Sequence, residues 1–140
     1  MRRFVSLAFL ASLAGSPNAA DEVLSAVVFT DREHPIMHVD SLPGAKIYRV
    51  DVLPSALARL SEGLPADDHA ATGIVSRRLS ILDAEALRSC AQGLVLAKLR
   101  YRLDRYPAVV FEGRAVIYGV TDLAVARRIY LEYVQGRIEE

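Results

Sequence analysis

The sequence predicts an α/β domain, a small mixed β-sheet with helices packed against it as a sandwich. Three observations predict it. Val23 to Thr30 is an apolar, β-branched run that reads as a buried central strand. Val109-Val110-Phe111 and Val116-Ile117-Tyr118 are β-branched or aromatic and are separated by Glu112-Gly113, a hairpin signal. Between and after these runs, apolar residues recur at steps of three and four, the helical spacing. Helices flanking two pairs of strands pack economically in layers.

The start of the chain reads as a targeting segment rather than as part of that domain. Met1-Arg2-Arg3 is positive, Phe4 to Ala14 is apolar or small, and Gly15 to Ala20 breaks the run and supplies small residues. The apolar run is shorter than the roughly 20 residues of a membrane span. Residues 1–20 are therefore expected to be a signal peptide cleaved near Ala20, leaving a domain over 21–140 that is exported to the periplasm. An uncleaved anchor is the alternative, because Asn18 stands where a small residue is preferred.

After the first strand, Pro43-Gly44 marks a turn, and no regular helix is predicted before the second strand at Lys46 to Asp51. Pro54 at a first helical position, with Leu53, Leu57 and Leu60 and then Gly63, predicts a short helix. Pro65-Ala66-Asp67-Asp68 opens another, with Ala70, Ile74 and Leu79 near one face. Asp83 caps the longest helix, whose stripe is Leu87, Cys90, Leu94, Ala97 and Tyr101. Pro107 opens the hairpin, where a strand tolerates a missing N–H. Thr121 is placed to cap a last helix burying Leu123, Ala126, Ile129, Tyr130 and Val134, and Arg137 to Glu140 form a tail.

Composition excludes some functions. The 140 residues carry 17 basic and 17 acidic side chains, which removes a general electrostatic case for nucleic acid or an anionic membrane. Cys90 is the only cysteine, so neither an internal disulfide nor dithiol exchange within one chain is available. Its place on the apolar stripe makes it a buried hydrophobe.

A proline opening a hairpin, followed by a glycine and a last helix, is how the second half of a thioredoxin-like domain is written. Three segments extend the likeness: Val27-Val28-Phe29-Thr30-Asp31-Arg32-Glu33-His34-Pro35, Gly63-Leu64-Pro65-Ala66-Asp67, and Tyr106-Pro107-Ala108-Val109-Val110 running to Val116-Ile117-Tyr118-Gly119. The chain resembles the DUF1525 group of small exported proteins encoded in integrating conjugative elements. The resemblance implies a thioredoxin-like three-layer sandwich in the cell envelope, encoded among genes for mating-pair formation and type IV secretion. It also implies a cis Tyr106–Pro107 bond and a peptide-binding edge beside it. A more distant similarity, of fold alone, is to thioredoxin-like proteins that help assemble conjugative pili.

In redox-active relatives a Cys-x-x-Cys pair follows the first strand, and here Thr30-Asp31-Arg32-Glu33-His34-Pro35 stands there instead. Oxidoreductase chemistry is thereby rejected. The expected contact surface is Asp31, Arg32, Glu33, His34 and Pro35 together with Tyr106 and Pro107, because ligands gather at the carboxyl ends of strands. The partners expected are envelope proteins of a conjugative transfer apparatus, with no nucleic acid, no cofactor and no membrane span after cleavage. The competing reading is a metal-dependent or acid–base enzyme using Asp31, Glu33 and His34; against it, Pro35 interrupts the spacing of His34 and His38, and His69 lies far along the chain. Asp31 is equally placed to bond nearby backbone N–H groups in an Asx-turn. Arg100, Arg102 and Arg105 suit a helix C-terminus, and the six tyrosines read as core-edge residues. A plain structural subunit is the third possibility.

Overall fold

A computed structural model describes residues 24–136. The expected signal peptide, the first residue of the predicted first strand and the tail all lie outside the described residues. Four strands form one sheet: β1 (Ala26–Thr30), β2 (Lys46–Arg49), β3 (Ala108–Phe111) and β4 (Ala115–Tyr118), in the order β2-β1-β3-β4. β1 and β2 are parallel, while β3 runs antiparallel to both β1 and β4. The helices are α1 (Val52–Ser61), α2 (Asp68–Ser80), α3 (Ala84–Val95) and α4 (Leu123–Val134). This is the expected α/β sandwich with a small mixed sheet.

Its three layers follow from strand periodicity. Along β1 and β3 successive side chains point to opposite faces. Ala26, Val28, Val109 and Phe111 join Leu123, Ala126 and Tyr130 of α4 on one face, where Phe111 and Tyr130 stack with ring centroids 4.5 Å apart. Phe29, Ala108 and Val110 face the other way, against Tyr48 and the end of the α3 segment at Ala97. Strands covered on both faces need the near-continuous apolar runs seen in the sequence.

α3 approaches β2 closely because Gly93 faces Tyr48; a Cβ at Gly93 would lie 2.6 Å from the Tyr48 Cβ. Beyond Val95 the helix widens into a π-helical turn, Leu96–Arg100. The hairpin turn has Glu112 at φ 50° and Gly113 at φ 66°, with the Arg114 N–H donating to the Phe111 carbonyl at 3.0 Å. Two positive φ values match a hairpin's right-handed twist, and glycine makes one of them free of strain.

Several local expectations need correcting. Asp122, not Thr121, caps α4, its carboxylate accepting from the Ala124 and Val125 N–H groups. Asp122 directly precedes the first apolar helical residue, so its carboxylate is level with the unpaired amides. Pro54 is the third residue of α1 rather than the first, which is still within the turn whose N–H groups lack helical partners. Val134, Leu57 and Leu79 are exposed. α2 has no fully buried residue; it is tied to α1 through Arg78, whose guanidinium donates to the Arg59, Leu60 and Glu62 carbonyls at 3.0, 3.0 and 2.7 Å. Arg105 pairs with Asp104 and lies over the Tyr118 ring instead of serving a helix end.

Candidate functional site

Strand direction gathers the site. β1 and β2 are parallel and end together, and β3 begins at that same end. The pairing of Phe29 with Ala108 brings Pro107 level with Thr30. The segment after β1 and the Tyr106–Pro107 pair therefore meet at one edge, as the sequence predicted. The Tyr106–Pro107 bond is cis. Pro107 itself is buried and Tyr106 half-buried, so contact here falls to Tyr106 and its main chain.

A parallel crossover is usually helical, yet between β1 and β2 there is only a short 3-10 turn, Val39–Ser41. Side chains fix the loop instead. The Asp31 Oδ1 accepts from the Glu33 N–H at 2.9 Å, the His34 N–H at 3.1 Å and the His34 Nδ1 at 2.7 Å. That is the Asx-turn the sequence allowed. Thr30, buried beneath, donates its hydroxyl to the His34 carbonyl. Burial works to raise the Asp31 pKa, but the His34 hydrogen bond, the His34 charge and the two backbone donors outweigh it and hold the carboxyl below its usual value.

Two further acids anchor the loop from outside. The Asp51 carboxylate, at the end of β2, accepts from the Arg32 N–H at 3.2 Å and from the Arg49 guanidinium at 3.0 Å. Met37 bridges to the start of α4, its N–H donating to the Thr121 carbonyl at 2.9 Å and its carbonyl accepting from the Leu123 N–H at 3.0 Å. His38 Nδ1 lies 2.9 Å from the Asp122 carboxylate. Burial would raise Asp122, yet His38 and the backbone N–H groups of Val125 and Ala124 hold it low.

His34 and His38 therefore serve different acids and do not converge. Among the described residues no three His, Cys, Asp or Glu side chains gather where they could hold a metal ion. Arg32, Glu33 and Pro35 project outward, and His34 presents the ring edge that Asp31 leaves free. Cys90 is buried and accepts a hydrogen bond from the Leu53 N–H at 3.3 Å. The Tyr106 hydroxyl is buried with no hydrogen-bond partner among the described residues. Burial, and then the neighbouring Cys90 and Tyr118 groups, push its pKa up.

The sequence did not point to Asp51, Arg49 or Arg59. Beside the loop, Arg32, Arg49 and Arg59 line a cleft of about 220 Å³ between the start of α1 and the start of α3. These arginines are scattered in sequence, and only the parallel pairing of β1 with β2 brings two of them together.

A family model described as a protein of unknown function, DUF1525, matches residues 23–136. No curated protein and no solved structure matches the chain. Among the described residues no helix is long and apolar enough to cross a membrane.

Proposed function

The chain belongs to the DUF1525 family, and from the geometry of its sheet end we propose that it is a non-catalytic, exported binding protein of an integrating conjugative element. It assists conjugative transfer by docking onto envelope proteins of the mating-pair and secretion apparatus. The contact surface is the loop Asp31-Arg32-Glu33-His34-Pro35 with the adjoining Tyr106–Pro107 edge. One observation carries the reading: at the strand ends where redox relatives hold a thiol pair, this chain builds a loop locked by Asp31. A locked loop suits recognition, because little ordering entropy is lost on contact. The signal peptide expected from residues 1–20 and the family resemblance support the envelope and transfer context.

The test is conjugation frequency after deletion of the gene in its native element, with complementation in trans. A large, complementable loss is expected, with photo-crosslinks from positions 32 and 33 to an envelope protein. Asp31→Ala combined with His34→Ala, stably folded and fully active in transfer, would rule out this surface. Unchanged transfer on deletion removes the role altogether.

The 2.7 Å contact of Asp31 with His34 favours a second reading, acid–base catalysis, in which the carboxylate orients the imidazole. That reading requires an activity lost in His34→Gln. Transfer unaffected by His34→Gln eliminates it for that process.

A further inference from the structure

The cleft beside the loop has a composition of its own. It is lined by Arg32, Arg49 and Arg59, all three exposed, and by the buried Ala56 and the half-buried Ala86 and Leu87. Two acids also line it, and both are already engaged. Asp51 accepts from Arg49 and from the Arg32 N–H, and Asp83 accepts from the Glu85 and Ala86 N–H groups at the start of α3. Arg32 and Arg59 have no carboxylate partner among the described residues. The Arg59 Nε donates to the Ser55 carbonyl at 3.4 Å, which directs its side chain back along α1.

We infer that this cleft is a receptor for a carboxylate on a protein partner, with one apolar side chain of that partner against its apolar lining. Planar guanidinium forks match a carboxylate in shape as well as charge. A volume of about 220 Å³ lies below the roughly 300–1,000 Å³ of sites that enclose whole small-molecule ligands. It has room for one or two side chains or a chain end. An apolar lining beside exposed guanidinium groups selects an apolar residue next to a carboxylate. The carboxylate is the partner's C-terminus, which a cleft of this volume can hold. This rests on the reading of the adjoining loop as a partner surface, since Arg32 belongs to both.

The probes are N-acetyl-Leu-Leu as the free acid, the same peptide as its amide, and N-acetyl-Leu-Glu-Leu amide. Each is titrated into the isotopically labelled full chain while the amide signals of Ser55 and Ala86 and the arginine Nε signals are followed. The free acid is expected to give saturable shifts at these positions that weaken with added salt. Arg59→Gln is expected to raise its Kd about five- to tenfold, as removal of one charge-assisted hydrogen bond at a half-exposed site would. Binding of the free acid alone supports a chain end; binding of the glutamate peptide as tightly as the free acid overturns it in favour of a side-chain carboxylate. Equal binding of the free acid and its amide, no saturable shift, or an unchanged Kd in Arg59→Gln overturns the inference. Arg59 lies outside the loop, so a loop that still crosslinks in Arg59→Gln with unchanged affinity defeats this inference and spares the loop.

Discussion

Gly93 gives the sharpest test of how the helical layer sits on the sheet. A Cβ at this position would stand 2.6 Å from the Tyr48 Cβ, 2.9 Å from its Cγ and 3.0 Å from its Cδ1. Non-bonded carbons favour about 3.5–4.0 Å, so Ala at 93 must push the partners apart by about 1 Å. Tyr48 cannot yield easily: its Cβ is fixed to β2, and its ring stacks on Phe29 with centroids 5.7 Å apart. Overpacking a close contact costs up to about 3 kcal/mol, and the better helix propensity of Ala returns about 1 kcal/mol. Gly93→Ala is therefore expected to lose about 2 kcal/mol. Gly73 in α2 is the control, with nothing within 4 Å of its would-be Cβ, so Gly73→Ala is expected to gain about 0.5–1 kcal/mol. Urea unfolding followed by circular dichroism reads both. At a typical slope of about 2 kcal/mol per molar, the Gly93 midpoint falls by roughly 1 M. A Gly93→Ala midpoint equal to or above the parent's refutes the close packing of α3 on β2.

Four other outcomes follow from single side chains. Asp83 caps α3 through two N–H groups, so Asp83→Ala is expected to cost about 1 kcal/mol in urea unfolding while Asp83→Asn costs far less. The Tyr106 hydroxyl is buried without a partner, so Tyr106→Phe should leave the urea midpoint unchanged or raise it; a clear fall would show that the hydroxyl is satisfied. Cys90 is 1% exposed and should react with a thiol reagent only as fast as the chain unfolds, so rapid labelling in native buffer contradicts its burial. Asp31 is held below its ordinary value of 3.8, so the unfolded chain binds its proton first as pH falls. The stability this carboxylate supplies is thus present above about pH 4 and is lost as pH falls through the lower folded value. Asp31→Asn should flatten that part of the stability–pH curve, and an acid limb identical to the parent's counts against the Asp31–His34 bond.

Much of the fold was legible because its signals are local. The apolar runs of β1 and β3, the Glu112-Gly113 turn and the Asp83 cap each rest on residues adjacent in sequence. That Val28 and Phe29 pack on opposite faces of the sheet then followed from the two-residue period. The misreadings came where neighbours in space decide. Leu57 and Leu79 have helical spacing, yet α2 meets α1 mainly through the Arg78 clamp on carbonyl groups, leaving both leucines exposed. Asp122 was readable, since it directly precedes the apolar face of α4 and Asp ranks above Thr as a cap, but Thr121 is also a capping type. At the site, the Asp31 turn runs over the four residues from Asp31 to His34 and was foreseeable. Asp51 reaches Arg32 across nineteen positions, and nothing in a linear pattern marks that pair.

Asp51 joins the two surfaces into one device. It stands at the N-terminus of α1 yet makes no side-chain capping bond there, because its carboxylate turns toward Arg49 and the Arg32 N–H. The loop thereby gains its cross-strand anchor, and the Arg49 guanidinium is held beside the cleft. A helical crossover between β1 and β2 would have satisfied its own backbone and needed neither Asp31 nor Asp51. With a loop in its place, the acids that replace helical hydrogen bonds also decide which cations stay unpaired. Asp31 engages His34, Asp51 engages Arg49, and Arg32 and Arg59 are left to an outside carboxylate. The pattern of free charge at this end of the sheet is thus a consequence of how the crossover is held.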